Sequence, residues 1–304
     1  MDTYESRVNK GGIDVYADMI SVQFPNLDTS DIKFLGDGWD HVAVETDGAV
    51  FRLPKEHKVN KNQKDHVRYE VAALRMLKPK LDVAIPEPKY VSSDFEFFGY
   101  PKLEGVIASS VKNDLSTEQM NQYLIDWAKL AASVHNSITP AEAESVGIPL
   151  FDLEKHIRQA ESIFDIGSLT ELQSAFVRQT IENTKKIDLS HRPRVFLHND
   201  FHSDNILLDP KTYRICGVID WSDMVIGPPE CEFGVLEGRD SAIHFEETTN
   251  LYRSETGVVI NLSLARTLKH LHHLRVYVYQ VHRGDTEGAK LSAQRITDWA
   301  EESR

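Results

Sequence analysis

Three side chains in this 304-residue sequence have types and spacing that could do chemistry together: Asp200, Asn205 and Asp220. They fall in the segment VFLHNDFHSDNILLDPKTYRICGVIDWSD, residues 195–223. Val195, Phe196 and Leu197 form a short apolar run into His198-Asn199-Asp200. Ile206-Leu207-Leu208 reads as a strand, Asp209-Pro210-Lys211-Thr212 as a turn, and the run from Ile215 to Ile219 as the returning strand. Antiparallel pairing would bring Asn205, which precedes the first strand, and Asp220, which follows the second, to the same end. An amide carbonyl and a carboxylate side by side are hard oxygen donors, suited to a Mg²⁺ that keeps waters and phosphate oxygens in its shell. Asp200, just upstream, would face the same place and could orient or deprotonate a hydroxyl. One such carboxylate with two oxygen ligands for Mg²⁺ is the set that phosphoryl transfer to an alcohol requires. A hairpin with ordinary turn residues would account for D-x-x-x-x-N alone. The flanking apolar strands and a second Asp at the matching place favour the chemical reading.

The elements that must position these residues are also visible. Phe34, Val42, Val44, Val50, Phe51 and Leu53, punctuated by Gly36, Gly38 and Asp47-Gly48, predict strands and turns from Ile32 to Pro54. A helical pattern runs from about Gln63 to Leu77, and Pro79, Pro86 and Pro88 stop it. Within that helix Val67, Glu70, Ala73, Leu74 and Leu77 share a face. A glutamate in an apolar stripe needs a cation to offset its desolvation. Arg52 faces away from its neighbours Phe51 and Leu53, which leaves it either on a cleft or on the surface, and a Glu70 at the edge of the stripe would simply meet solvent. An extended stretch from Phe95 to Leu103 ends at Glu104-Gly105. Beyond it Met120, Tyr123, Leu124, Trp127, Leu130, Ala131 and Val134 make one apolar helical face. Further helices are expected around 153–165, 170–186, 239–254, 261–282 and 286–302. The expected class is therefore α+β. Residues 1–105 would form a small antiparallel sheet with one main helix, and residues 106–304 a larger, mostly helical part, with a hinge near Gly105.

H-x-D-x-x-x-x-N followed by I-D resembles the catalytic segment of the protein-kinase-like small-molecule kinases. The text is most similar to the aminoglycoside phosphotransferases, and His198–Phe201 with Ile215–Asp220 resembles their 2''-O-phosphotransferase branch. The resemblance implies a bilobal kinase-like fold. It implies that Asp200 handles the substrate hydroxyl and that Asn205 and Asp220 hold Mg²⁺. The loop with Gly36 and Gly38, Leu35-Gly36-Asp37-Gly38-Trp39-Asp40, would cover the nucleotide. Arg52 stands where the family usually has a Lys, keeping the charge, and would be braced by Glu70. The segment Phe98–Gly105, with Tyr100, Lys102 and Leu103, resembles the hinge that binds the purine. A residue as bulky as Tyr100 there implies GTP in preference to ATP. Protein kinases carry D-F-G and a long activation segment; here Asp220-Trp221-Ser222 reaches Pro228-Pro229-Glu230 within a few residues, leaving little room for a peptide. His202 follows the wider family rather than the 2'' branch.

For the acceptor, acids follow the hairpin: Asp223, Glu230, Glu232, Glu237, Asp240, Glu246 and Glu247. In the family such acids bind ammonium groups, and Asp223 and, more loosely, Glu237 match. Glu232-Phe233 stands where the family has Asp-Phe, a structural position. The resemblance thus implies an aminoglycoside acceptor. A macrolide or a small metabolite alcohol is the alternative, and a non-catalytic nucleotide-binding module is disfavoured by the intact Asp200, Asn205 and Asp220. His270, His272 and His273 lack metal-site spacing and read as helix-surface or cleft-lining residues. The net charge of −13 argues against nucleic acid or an anionic membrane as partner and permits a cationic substrate. Two cysteines build no disulfide framework, and neither a secretory signal nor an apolar run of membrane length is visible. A monomeric cytoplasmic protein is expected.

Overall fold

The computed structural model describes residues 12–38, 41–55, 61–166, 169–239 and 245–303. In chain order the elements are α1 (Gly12–Gln23), β1 (Lys33–Asp37), β2 (His41–Thr46), β3 (Ala49–Pro54), α2 (Lys61–Leu77), β4 (Tyr90–Val91), β5 (Phe98–Pro101), β6 (Val106–Ile107), α3 (Ala108–Val111), α4 (Thr117–Ser137) and α5 (Pro140–Ser145). There follow α6 (Leu153–Glu161), α7 (Glu171–Lys185), β7 (Val195–Leu197), β8 (Ile206–Leu208), β9 (Ile215–Val218), β10 (Val225–Gly227), α8 (Glu230–Arg239), α9 (Phe245–Thr256), α10 (Leu262–Arg283) and α11 (Thr286–Glu302). An N-terminal antiparallel sheet and a mostly helical remainder make this the α+β, protein-kinase-like class. Among the described residues no helix is long and apolar enough to cross a membrane.

The chain forms two compact units. The first comprises residues 1–123, 137–148 and 203–224, and the second residues 124–136, 149–202 and 225–304. In the first unit a five-stranded sheet runs β1-β2-β3-β5-β4, every pair antiparallel. Val42, Val44, Phe51, Leu53 and Phe97 bury one face with Ile20 of α1. The β3 sequence alternates, so Arg52 leaves the sheet on the face opposite Phe51 and Leu53. Phe98 and Tyr100 pair across from Arg52 and Val50 and share that face. Gly99 pairs with Phe51, whose ring lies 2.4 Å from where a Cβ would stand, so only glycine lets these strands meet. The same unit holds a three-stranded sheet, β6-β8-β9.

The second unit is helical apart from the β7–β10 pair. Its main core joins Ile157, Ile163, Val177, Ile181, Leu271, Leu274 and Ile296 from α6, the turn after it, α7, α10 and α11. Several helices start as their sequences require. Ser116 and Thr170 form capping boxes with Gln119 and Gln173, and Asn261 caps α10.

Four details differ from the sequence reading. Gly36 lies inside β1, where a bulge separates Phe34 from Gly36, so the turn is shorter than expected; Trp39 and Asp40 lie outside the described residues. The front of the expected hinge, Phe98–Pro101, is strand β5, and Gly105 with φ of 128° follows it. The acid-rich run after Pro229 is a helix, α8, because Phe233, Val235 and Leu236 have a core to enter; Asp240 falls outside the described residues. Finally, His273 is buried against Trp299, whereas His270, which meets Trp299 and Phe176, and His272 line clefts, one of the two settings expected for them.

Candidate active site

In the first unit the site is built around one guanidinium. Arg52, on β3, bonds through Nη1 to Glu70 on α2 and through Nη2 to Asp220 Oδ1 at 2.8 Å. Arg52 and Glu70 are buried, with side chains 9% and 3% exposed, whereas that of Asp220 is 43% exposed. Burial weakens the Arg52 cation, but Glu70 and Asp220, then Tyr100 and Asp223, more than restore it, so Arg52 stays protonated. Burial lifts the Glu70 carboxyl above its ordinary range, and the attraction of Arg52 only partly reverses that. Burial also pushes the Tyr100 phenol up to about 12, with Arg52 opposing the rise. The Arg52 guanidinium lies 5.9 Å from the centre of the Phe98 ring.

The β8–β9 hairpin delivers Asp220 to that guanidinium. Ile206 pairs with Val218, and the Ile219 N–H donates to the Asn205 carbonyl at 2.9 Å. Asn205 and Asp220 therefore sit at one end of the hairpin. Asp220 has φ of 59°, a left-handed conformation that Asp and Asn tolerate better than most residues. The Ser222 hydroxyl donates to its Oδ1 at 2.9 Å. A carboxylate oxygen and a neighbouring amide fit Mg²⁺, which usually takes one or two protein carboxylates and completes its shell with waters and phosphate oxygens. Among the described residues no cluster of three or more His, Cys, Asp or Glu side chains could hold a metal alone, so such an ion would depend on its other ligands.

In the second unit Asp200 follows β7 in the loop from His198 to His202. Glu232 of α8, fully buried, anchors that loop: the N–H groups of His198 and Asn199 donate to its two oxygens at 3.0 Å each. Asn199, with φ of 65°, makes the turn. Phe201 stacks on Trp127 of α4 at 5.1 Å, and the Trp127 indole also meets Phe233 at 5.2 Å. His202, buried, places Nε2 3.2 Å from Asp200 Oδ1. Burial would raise the Asp200 carboxyl, but the His202 hydrogen bond and charge, then His198 and His272, hold it far below the usual range. Asp200 is thus ionised at every physiological pH.

The structure brings Arg52, Glu70, Asp220 and the backbone of Asn205 together. Tyr100 is buried on the Arg52 face. Gly36 lies in β1 and Gly38 just beyond it. Lys102 and Leu103 follow β5, with Lys102 Nζ paired to Glu45 at 2.7 Å. Asp223 is exposed. Glu237 is buried and pairs with Arg266 Nε at 2.8 Å and Lys269 Nζ at 3.3 Å. His202 and Glu232 stand out in the sequence, Glu232 as a structural position, but their partners in the structure are not evident there. The H-x-D-x-H spacing could have flagged His202 as the partner of Asp200. Nothing local points Glu232 at a loop more than thirty residues earlier.

A kinase-type sheet carrying an Arg–Glu pair, with an Asn/Asp hairpin and an H-x-D loop, defines the protein-kinase-like phosphotransferases. The chain belongs to the Phosphotransferase enzyme family, which matches residues 31–253, well over half of it. The GDP and kanamycin complex of APH(2'')-IIIa is similar in structure, with a TM-score of 0.82 at 19% identity over 95% of this chain and 99% of that one. Macrolide 2'-phosphotransferase type I is similar with a TM-score of 0.71 at 18% identity, over 94% and 97% of the two chains. Among curated proteins, human acyl-CoA dehydrogenase family member 11 is 23% identical over 185 residues, 58% of this chain. The chain spans about a fifth of that relative's length, 22%.

Proposed function

We propose that this phosphotransferase moves the γ-phosphoryl group of GTP or ATP to a hydroxyl of a small molecule, with an aminoglycoside as the acceptor. The observation that carries the reading is the Arg52 guanidinium, bonded at once to Glu70 and to Asp220 beside Asn205. Charge on a transferring phosphoryl group is stabilised by such a fixed cation. Residues 1–105 would bind the nucleotide, with Gly36 and Gly38 near its phosphates and Tyr100, Lys102 and Leu103 near the base. Residues 106–304 would supply the acceptor site, including Asp223 and Glu237. Asn205 and Asp220 would hold Mg²⁺, which would neutralise phosphate oxygens. Asp200 would accept a hydrogen bond from the acceptor hydroxyl and take its proton as the oxygen attacks. His202 would hold Asp200 in place. We take the protein to act as a monomer in the cytoplasm, where modification of an aminoglycoside would confer resistance.

A second acceptor class, a macrolide or a metabolite alcohol, is favoured by a specific observation. Of the two acids matched to a polycationic acceptor, Asp223 and Glu237, Glu237 is already engaged, and so are Glu230 and Glu232 beside it. Glu230 pairs with Arg192, Glu232 with the His198–Asn199 amides, and Glu237 with Arg266 and Lys269. The test is a panel of kanamycin-type aminoglycosides, erythromycin and simple amino alcohols and sugars, each incubated with Mg²⁺ and either ATP or GTP. Gain of one phosphate by mass on kanamycin alone supports the first class, gain on erythromycin or a metabolite the second. No gain on any hydroxyl compound, with the nucleotide left intact, would sink the phosphotransfer reading. Asp200→Ala should lower turnover by orders of magnitude while nucleotide binding persists.

A further inference from the structure

Within the second unit a buried line of polar side chains runs behind the loop that carries Asp200. Glu232 of α8, fully buried, accepts the His198 and Asn199 amides. Among the described residues the one basic side chain paired with it is His135 of α4, whose Nε2 stands 3.6 Å from Glu232 Oε2. His135 is itself buried, 3% exposed. Its Nδ1 lies 2.7 Å from the hydroxyl of Tyr252 on α9. The imidazole and phenol rings meet edge to face at 5.3 Å, and Tyr252 meets Phe233 in the same way at 5.0 Å. Helices α4, α8 and α9 thus each supply one polar group to a line that ends on the loop backbone.

These contacts fix where the imidazole carries its hydrogen. A carboxylate offers only acceptors, so the hydrogen facing Glu232 must sit on Nε2. Nδ1 then accepts from the Tyr252 hydroxyl, which burial keeps protonated by raising the phenol above its ordinary range. At 3.6 Å the Nε2 contact is longer than a hydrogen bond, and Nε2 is buried with no other partner. A buried N–H left unpaired is costly, so the imidazole and the carboxyl hold one another in place.

We propose that His135 is a positioning residue for Asp200: oriented by Tyr252, it keeps Glu232 in the rotamer that fixes the His198–Asn199 backbone. Asp200 follows Asn199 directly, and the left-handed φ of 65° at Asn199 aims it. Where Asp200 stands when an acceptor hydroxyl arrives is thereby set from the far side of Glu232. His135 is too deeply buried to touch a substrate, so its loss lowers kcat and spares KM. That kinetic consequence rests on the phosphotransferase reading; the hold on the loop does not.

The test compares His135→Leu, His135→Gln and Tyr252→Phe in the full chain. Gln keeps an N–H near the place of Nε2, and Leu keeps only volume. Tyr252→Phe removes the hydroxyl and keeps the ring against Phe233. Kinetics use the panel compound that gains phosphate, with Mg²⁺ and GTP or ATP. His135→Leu should lower kcat by about tenfold or more with both KM values kept, since small displacements of a reacting group are costly in rate. His135→Gln should restore most of that loss, and Tyr252→Phe should lose less than His135→Leu. Amide hydrogen exchange is followed at His198 and Asn199, with Gln173, whose N–H is capped by Thr170, as the control. Exchange at the two loop amides should quicken in His135→Leu and Tyr252→Phe and stay unchanged at Gln173. Equal losses in the Leu and Gln variants, KM values that rise in step with the loss, or loop amides that exchange as in the parent overturn the proposal. If His135→Leu does not fold, Tyr252→Phe decides on the same two readouts. Loop amides that quicken in a protein whose parent modifies no hydroxyl compound fail the phosphotransferase reading and leave the hold on the loop. Phosphotransfer with unmoved loop amides fails the role of His135 alone.

Discussion

Arg52 is the residue on which most of the first unit's site converges. It neutralises Glu70 in the interior and reaches Asp220 at the hairpin end. Arg52→Met leaves Glu70 buried without a cation and should cost about 3–5 kcal/mol in urea unfolding. Adding Glu70→Leu should recover most of that loss, because removing both partners of a buried ion pair is far cheaper than removing one. If the double variant is as unstable as the single one, the pair is not what Arg52 stabilises. The pairing of Arg52 with Glu70 is legible through the resemblance to the kinases, since strand alternation alone leaves Arg52 a choice of cleft or surface and helical periodicity alone leaves Glu70 at the margin of its stripe. The bond from Arg52 to Asp220 is not legible, because 168 residues separate them and only the folded sheet defines their distance. Glu237 shows the opposite limit. An acid on a helix reads the same whether it meets solvent or two cations, so its partners Arg266 and Lys269 could not be read from spacing.

At the scale of elements, α8 is a strut for the loop that carries Asp200. Its Glu232 accepts two backbone N–H groups that would otherwise be buried without partners. Glu232→Ala should destabilise the protein by about 2–4 kcal/mol and lower turnover, while Glu232→Gln, which keeps one acceptor, should lose roughly half as much. Chemical denaturation of the two variants checks the order; equal losses would mean that volume, not hydrogen bonding, matters. The long amphipathic helices α7, α10 and α11 are legible to within a residue or two because their apolar periodicity and caps agree, and α4 is legible from its apolar face. The helices α1 and α8 are not. The first is short and anchored chiefly through Ile20, and the second is masked by its acids, which only a buried partner set makes tolerable in a helix. The strand–turn–strand of β8 and β9 is legible because Pro210 and the apolar runs on either side leave no other reading.

For the molecule as a whole, acid should unfold it earlier than its carboxylates alone would predict. Burial, with nearby Lys and Arg charges, holds His156 at about 3 and His270 at about 4, against an ordinary value of 6.5. Between those limits the unfolded chain binds protons that the folded chain refuses. The stability that these two histidines contribute is therefore full above about pH 6.5 and falls as the pH drops toward 4, by roughly 1–2 kcal/mol per histidine at pH 5, while Glu70, raised to about 7, acts in the opposite sense over the same window. On going from pH 7 to 5 the midpoint of thermal unfolding of the parent should therefore move downward relative to that of His270→Phe, which keeps a ring against Phe176 and Trp299. An identical pH response in the two proteins would assign the acid sensitivity elsewhere. The α+β class is legible from the order of the text, strands first and helices after. The membership of the two compact units is not, because each is assembled from three separated stretches of chain that only contacts can join.

The ring of Phe51 standing where a Cβ of residue 99 would stand has a consequence for how this sequence can drift over generations. Positions 51 and 99 share one volume, so neither can change size alone. An alanine at 99 becomes tolerable only alongside a shrunken partner at 51. The double exchange Phe51→Leu with Gly99→Ala should be milder than the sum of its halves, a compensation that homologous chains would display as paired substitutions.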